Sequence, residues 1–124
     1  MKNLLLIFVG GGIGSVLRYA LSRFINNLSV SAFPYGTFLV NIIGCFLIGF
    51  FMFYTDKPDN SEMQMRLFLT TGLCGGFTTF STFSLENTQL ISDHRIFIFL
   101  AYTIGSVALG VIATYGGLLL ARNV

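Results

Sequence analysis

The chain has 124 residues, of which 54% are hydrophobic and 10% are charged, and its formal net charge is +2. Soluble domains carry about 25% charged residues, so this composition excludes an ordinary soluble domain and indicates an integral membrane protein. Apolar runs occupy nearly the whole length and leave no segment for a soluble catalytic or nucleic-acid-binding domain. We therefore predict a single transmembrane domain over residues 1–124, with no nucleic-acid partner.

Four apolar segments are each long enough to cross a bilayer, for which about 20 residues suffice. They cover residues 4–17 (extendable to residue 24), 36–54, 67–90 and 96–121, joined by short connections at residues 26–35, 55–65 and 92–95. Because a helix satisfies its own backbone hydrogen bonds in lipid, we predict an all-α protein with four transmembrane helices. The first segment lacks a small-x-small cleavage site, so we predict a retained span rather than a signal peptide.

Positive charges are divided almost evenly between the two sides of the predicted four-helix bundle. The two sets are Lys2, Lys57, Arg66 and Arg122 against Arg18, Arg23 and Arg95. An excess of Lys and Arg on one side normally fixes the orientation of a membrane protein, and four against three is almost no excess. We therefore predict dual topology, with an antiparallel dimer assembled from both orientations.

The first span combines a glycine-rich run at residues 10–14 with an arginine at position 18. The run is not followed by Lys-Ser/Thr and lies inside an apolar helix, which argues against a phosphate-binding loop. Gly10 and Gly14 instead form a small-xxx-small face that allows another helix to approach closely. Arg18 continues this face, either as a snorkelling interfacial residue or as a cation at a pore mouth that concentrates anions.

Two further spans carry polar residues at membrane depth. Asn41 lies deep in the second span, on one face with Thr37 and Gly44. A buried amide needs a hydrogen-bonding partner, so Asn41 either bonds a neighbouring helix or lines a water-filled pathway. The fourth span carries a similar seam, spaced by four residues, of Tyr102, Ser106 and Gly110.

The third span is interrupted by the polar string GGFTTFSTFS at residues 75–84. Adjacent glycines weaken a helix, and we predict a break near residues 75–78. A break at membrane depth frees backbone carbonyls for a hard cation and N–H groups for an anion. The segment therefore indicates a place where an ion binds or passes.

Phenylalanines recur at every third position after the glycines, as Phe77, Phe80 and Phe83. The positive edges of their rings can face an anion without a formal charge, and hydroxyls at Ser81, Thr82 and Ser84 add donors. The alternative is that the rings face lipid or core and that the hydroxyls bond their own helix. Glu86, three residues after Phe83, is either a residue of the pore mouth or a proton-coupling group.

Three motifs together resemble the Fluc family of fluoride channels, also called CrcB. They are GGFTTFSTFS, Gly36-Thr37-x3-Asn41-x2-Gly44 and Gly14-x3-Arg18-Tyr19, and they occur in the family's order along essentially the full chain. The resemblance implies passive, fluoride-selective export that relieves fluoride toxicity, without enzymatic activity. It also implies a multi-pass protein of the cell (inner) membrane, working in lipid as an antiparallel dual-topology homodimer with two pores.

The resemblance also implies residue roles. The fluoride pore would be lined by Phe80, Phe83, Asn41, Ser81, Thr82, Tyr102 and Ser106. Arg18 would lie near the aqueous vestibule. A structural sodium ion at the dimer centre, which is not transported, would be bound by the backbone carbonyls of Gly75 and Thr78.

Other classes fit the sequence less well. A small multidrug exporter needs a membrane-embedded carboxylate, typically in its first span, and this first span has no acid. A non-transporting subunit of a larger complex would leave the hydroxyl and phenylalanine string unexplained. An intramembrane enzyme would need a nucleophile–base pair that no His, Asp or Cys set provides, since Cys45 and Cys74 are predicted to be buried free thiols. Pairing with a homologous subunit instead of a second identical copy stays open.

Overall fold

The computed structural model describes residues 1–55 and 60–124, and within them every regular element is helical. In chain order the elements are α1 (Lys2–Leu28), α2 (Tyr35–Tyr54), α3 (Asn60–Arg66), a π-helical segment (Leu67–Cys74), α4 (Gly75–Phe77), α5 (Phe80–Ser92) and α6 (Ile96–Asn123). The predicted connection over residues 55–65 is wrong at its end, because α3 already begins at Asn60. Lys57, the one positive charge of that connection, lies outside the described residues.

Three of the helices, α1, α2 and α6, are long and apolar enough to cross a membrane. The fourth predicted span is present as consecutive shorter pieces, the π-helical segment, α4 and α5. The prediction of an all-helical membrane protein with four helices is therefore confirmed, with three continuous helices and one interrupted helix.

The π-helical segment of 8 residues was not foreseen, since the sequence predicts an ordinary α-helix there. Within it, the Thr70 hydroxyl donates to the Arg66 carbonyl oxygen at 2.6 Å. Runs of π-helix are rare and are frequently found at functional sites. The segment packs along α1 and leads directly into α4 and the interruption of the third span.

Glycines allow α1 to lie directly against the third span. Gly10 and Gly14 are the buried residues of α1. A Cβ added at Gly10 would lie only 2.6 Å from the Phe68 carbonyl oxygen, and one at Gly14 would overlap the Leu73 carbonyl oxygen. One added at Gly76 would likewise overlap the backbone of α1 at Gly11. The predicted close-packing face of the first span is therefore confirmed, and it contacts the segment that carries the break.

We expect Gly14→Ala to destabilise the protein by about 1–3 kcal/mol, because the new methyl group would force α1 away from the third span. The matched control is Gly12→Ala, since Gly12 is exposed and has nothing within 4 Å of an added Cβ. That control should be neutral or stabilise the helix by up to about 1 kcal/mol. Thermal unfolding in detergent measures both, and equal melting temperatures for the two variants would contradict the packing argument.

Candidate functional site

The interruption in the third span lies at Thr78 and Thr79. Both residues are extended, with φ −83° and ψ 158° at Thr78 and φ −150° and ψ 122° at Thr79. The predicted break is thus present, but the expectation that the glycines form it is wrong, because Gly75 is helical with φ −63° and ψ −40°. Of the two glycines, Gly76 is used for packing: it lies against the α1 backbone at Gly11, and the helix continues through it to Phe77.

Side chains from two other helices bond the backbone groups that the break leaves without helical partners. The Thr79 N–H donates to Asn41 Oδ1 at 2.8 Å, and Asn41 Nδ2 donates back to the Thr79 carbonyl oxygen at 3.0 Å. Arg18 Nη1 donates to the Thr78 carbonyl oxygen at 3.3 Å. Ser15 on α1 donates to the Gly76 carbonyl oxygen at 3.4 Å. Unsatisfied backbone groups are too costly in lipid, so these contacts are what permits the break.

Thr79 was not singled out from the sequence, but in the structure it both bonds Asn41 and caps α5. Its hydroxyl oxygen accepts from the Thr82 N–H at 3.2 Å and so caps the N-terminus of α5. The same hydroxyl lies 3.3 Å from Ser81 Oγ and donates to Thr82 Oγ1 at 3.1 Å. A threonine immediately before a helix is a preferred N-cap, and that signal could have located both the cap and the start of α5.

A cavity of about 350 Å³ lies beside the break. The predicted site residues that line it are Asn41, Gly75, Thr78, Phe80, Phe83 and Ser106. The Ser106 hydroxyl is buried and has no hydrogen-bonding partner among the described residues. Such a group is costly unless an ion or water completes its bonding. The cavity therefore has the polar groups of a small-ligand site in otherwise apolar surroundings.

Three aromatic rings form a row that leads away from this cavity. The centroids of Phe80 and Phe83 are 5.7 Å apart, and those of Phe83 and Tyr102 are 4.9 Å apart. Phe80 is 78% exposed at the open side of the single chain. Phe77, which the spacing by three places in the same row, is instead buried beside Gly44, because the break separates it from α5.

Glu86 joins α5 to two neighbouring helices. The Thr37 hydroxyl on α2 donates to Glu86 Oε1 at 2.7 Å, and the Tyr102 hydroxyl on α6 donates to Glu86 Oε2 at 2.7 Å. Sequence reasoning noted these residues separately but missed that they form one network. The signal was that each stands on the polar face of its own span, but only the packed helices bring the faces together.

The remaining predicted residues lie around the cavity rather than in it. Tyr102 is fully buried and reaches the site only through its ring contact with Phe83 and its bond to Glu86. Ser81 and Thr82 are exposed and lie beside the hydroxyl of Thr79. Arg18 is half-buried at the break itself, where its guanidinium contacts the backbone.

The break leaves backbone carbonyl oxygens without helical hydrogen-bonding partners. Carbonyl oxygens suit hard cations, and those in the last turn of a helix, where Gly75 lies, carry negative partial charge and lack helical partners. The Thr78 carbonyl oxygen accepts the long bond from Arg18 and keeps a second lone pair. No cluster of His, Cys, Asp or Glu that could hold a metal occurs in the described part of the chain. The carbonyl oxygens of Gly75 and Thr78 are of the kind that a carbonyl-bound ion would need as ligands.

Comparison with known proteins places this arrangement in a family. The model of the CrcB-like protein, camphor resistance (CrcB) family matches residues 5–118. A relative from Flavobacterium psychrophilum named "Fluoride-specific ion channel FluC" is 48% identical over 123 residues, covering 99% of both chains. Relatives of the same name from Phocaeicola vulgatus and Bacteroides fragilis are 52% and 45% identical, covering 95% and 94% of this chain and 97% and 94% of their own lengths.

These matches confirm the resemblance seen in the motifs. The relatives are named as ion channels, so the family is not one of enzymes. With its apolar helices, the chain is a multi-pass protein of the cell membrane. From residue 5 to residue 118, and by full-length similarity to its relatives, it belongs to the CrcB family.

Proposed function

We propose that the chain is a fluoride-selective channel that lets fluoride leave the cell passively and so relieves its toxicity. Relatives that match nearly its full length are named as fluoride-specific ion channels. The observation that carries the proposal is the cavity at the break, where Asn41 is bonded to both backbone groups of Thr79.

The bonds to Thr79 determine which end of the Asn41 amide is available to an ion. Its oxygen accepts the Thr79 N–H, and one of its two N–H groups donates to the Thr79 carbonyl. An asparagine amide has one acceptor oxygen and two N–H donors. The amide therefore keeps one N–H donor for the cavity, and this donor stabilises an anion. The two bonds to the backbone of the break thus fix the direction of the donor that Asn41 offers to an anion.

Fluoride is small and tightly hydrated, so a selective pathway must replace its water at every step. The Asn41 N–H and the Ser106 hydroxyl supply hydrogen-bond donors in the cavity. Phe80 and Phe83 present rings whose edges carry positive partial charge. Tyr102 continues the row of rings and connects it to Glu86. Ser81 and Thr82, at the exposed start of α5, add hydroxyls for the same pathway, and Arg18 attracts anions toward it.

We further propose that the functional unit is an antiparallel homodimer with two pores. Two observations support it: the near balance of positive charge between the two sides, and the cavity that is open on one side with Phe80 78% exposed there. A second, inverted copy would cover this side and complete each pathway. The carbonyls of Gly75 and Thr78 would then hold the structural sodium ion between the subunits, neutralising carbonyl dipoles that face each other across the dimer.

Purified protein reconstituted into liposomes should release fluoride rapidly down its gradient, because the pathway needs no energy source. Chloride under the same gradient should move far more slowly, since its larger size does not fit donors spaced for fluoride. A fluoride electrode and a chloride electrode measure the two fluxes. Liposomes that retain fluoride as well as protein-free ones do would refute the proposed function.

Asn41→Asp should reduce fluoride efflux by about 100-fold, which corresponds to about 3 kcal/mol in the barrier. The carboxylate cannot donate to the Thr79 carbonyl, and it places a negative charge where the anion passes. Asn123→Asp is the matched control, because Asn123 is exposed near the end of α6 and only donates to the Leu119 carbonyl. Wild-type efflux through the Asn41 variant would remove the amide from the pathway.

The dimer proposal predicts that a cysteine at position 92 is labelled from both sides of the cell membrane. Ser92 is exposed at the end of α5, and the test uses Ser92→Cys with Cys45 and Cys74 replaced by alanine. An impermeant maleimide should label about half of the molecules from outside, and the rest only after permeabilisation.

In detergent, sodium-free buffer should shift the dimer toward monomer. Labelling from one side alone would contradict dual topology, and a dimer indifferent to sodium would contradict the ion.

A further inference from the structure

Two side-chain hydrogen bonds at consecutive positions connect α5 to α6. Glu86 Oε2 accepts from the Tyr102 hydroxyl at 2.7 Å, and Asn87 Oδ1 accepts from the Thr103 hydroxyl at 3.1 Å. The first bond involves residues of the proposed pathway. The second does not: Thr103 lies outside the cavity at the break, and Asn87 is buried with 8% of its surface exposed.

We propose that Asn87 and Thr103 are a positioning pair that fixes the rotation of α5 about its own axis. The proposal rests on the proposed function and deepens it, because α5 carries Phe80, Phe83 and Glu86. Consecutive residues on a helix point in directions about 100° apart. Glu86 holds α5 at one residue, through Tyr102 on α6 and Thr37 on α2. The bond of the adjacent residue, Asn87, points in a different direction and restrains the roll that the long Glu86 side chain permits.

The packing of α5 is too limited to fix its rotation without this positioning pair. The helix has 13 residues, and the break at Thr78 and Thr79 separates it from the rest of the third span. Its tertiary contacts are mainly with α6 and less with α2. Apart from Asn87, its only buried residue is Leu90 near its far end. Apolar packing of this extent does not specify one rotation, because a leucine contact tolerates small rolls.

A small roll of α5 would change the pathway. Side chains extend to about 5–6 Å from a helix axis, so a roll of about 20° moves an aromatic ring by about 2 Å. The Phe83 and Tyr102 ring centroids are 4.9 Å apart, and a displacement of that size would change the distance and angle of this contact. Phe80 and Phe83, which line the cavity, would move with the helix at the same time. Fluoride passage should therefore depend on the bond between Asn87 and Thr103, although this bond lies outside the cavity.

The alternative is that Asn87 and Thr103 merely bind two helices together, as polar pairs in membrane bundles often do. Such a bond would contribute to stability without affecting where the rings point. Separating the two roles needs a readout of ring position as well as of melting temperature. The ring contact between Phe83 and Tyr102 provides it, because each ring shifts the resonance frequencies of nuclei in the other.

The test uses Thr103→Val, which keeps the shape of the side chain and removes the hydroxyl, and Thr103→Ser, which retains a hydroxyl. Asn87→Ala and the double variant complete a mutant cycle. Thr88→Val is the matched control, since Thr88 lies next to Asn87 but donates only to the Ser84 carbonyl of its own helix at 2.9 Å. Fluoride and chloride fluxes are measured in liposomes, and the ¹⁹F resonance of 4-fluorophenylalanine at position 83 is measured in detergent.

We expect Thr103→Val to lower fluoride flux by about tenfold and to shift the ¹⁹F resonance. Loss of the Thr103 hydroxyl leaves the buried amide oxygen of Asn87 unpaired and lets α5 roll. Thr103→Ser should restore both, and the double variant should be no worse than the worse single variant. The control should match wild type. A Thr103→Val variant with wild-type flux and an unshifted resonance, or with only a lower melting temperature, would overturn the positioning role. Wild-type liposomes that pass no fluoride would instead refute the proposed function, whatever the resonance shows.

Discussion

The extended backbone at Thr78 and Thr79 is the feature on which the rest of the structure depends. In lipid no water bonds a free N–H or carbonyl, and each unsatisfied group costs several kcal/mol. Asn41 therefore has to lie beside Thr79, and Arg18 beside Thr78. Placing those two side chains requires α1 and α2 to pack on either side of the third span, so the break determines the arrangement of the bundle around it.

Close packing is what brings the guanidinium of Arg18 to the break. Gly10 and Gly14 let the backbone of α1 lie against the third span. Gly76, in the third span, lets that backbone approach α1 at Gly11. Arg18 is one turn beyond Gly14, so a helix held at that distance places its side chain at the Thr78 carbonyl. Glycines that weaken a helix in isolation thus stabilise this one, because the contact they allow outweighs the helix propensity they lack.

The site combines rigidity from backbone bonds with adjustable side chains. The Asn41 amide is held at both ends by Thr79, so its remaining donor has a defined direction without the support of other side chains. The rings of α5 have no such bond of their own and depend on the bonds of Glu86 to α2 and α6 and of Asn87 to α6. A channel that must release its ion needs weak, repeated contacts rather than one tight site, and in the proposed pathway a row of rings beside a few donors would supply them.

Local patterns in the sequence predicted the membrane class, the helices, the packing face at Gly10 and Gly14, and an interruption in the third span. These follow from composition and from spacing within one helix, which need no partner. The π-helical segment, the start of the break at Thr78 and the burial of Phe77 were not predicted, because contacts with α1 and α2 decide them. Likewise, the bonds of Glu86 to Thr37 and of Asn41 to Thr79 join residues far apart in the chain. By itself the sequence determined which side chains are polar at membrane depth, whereas the rotation and distance of the packed helices decided which of them meet.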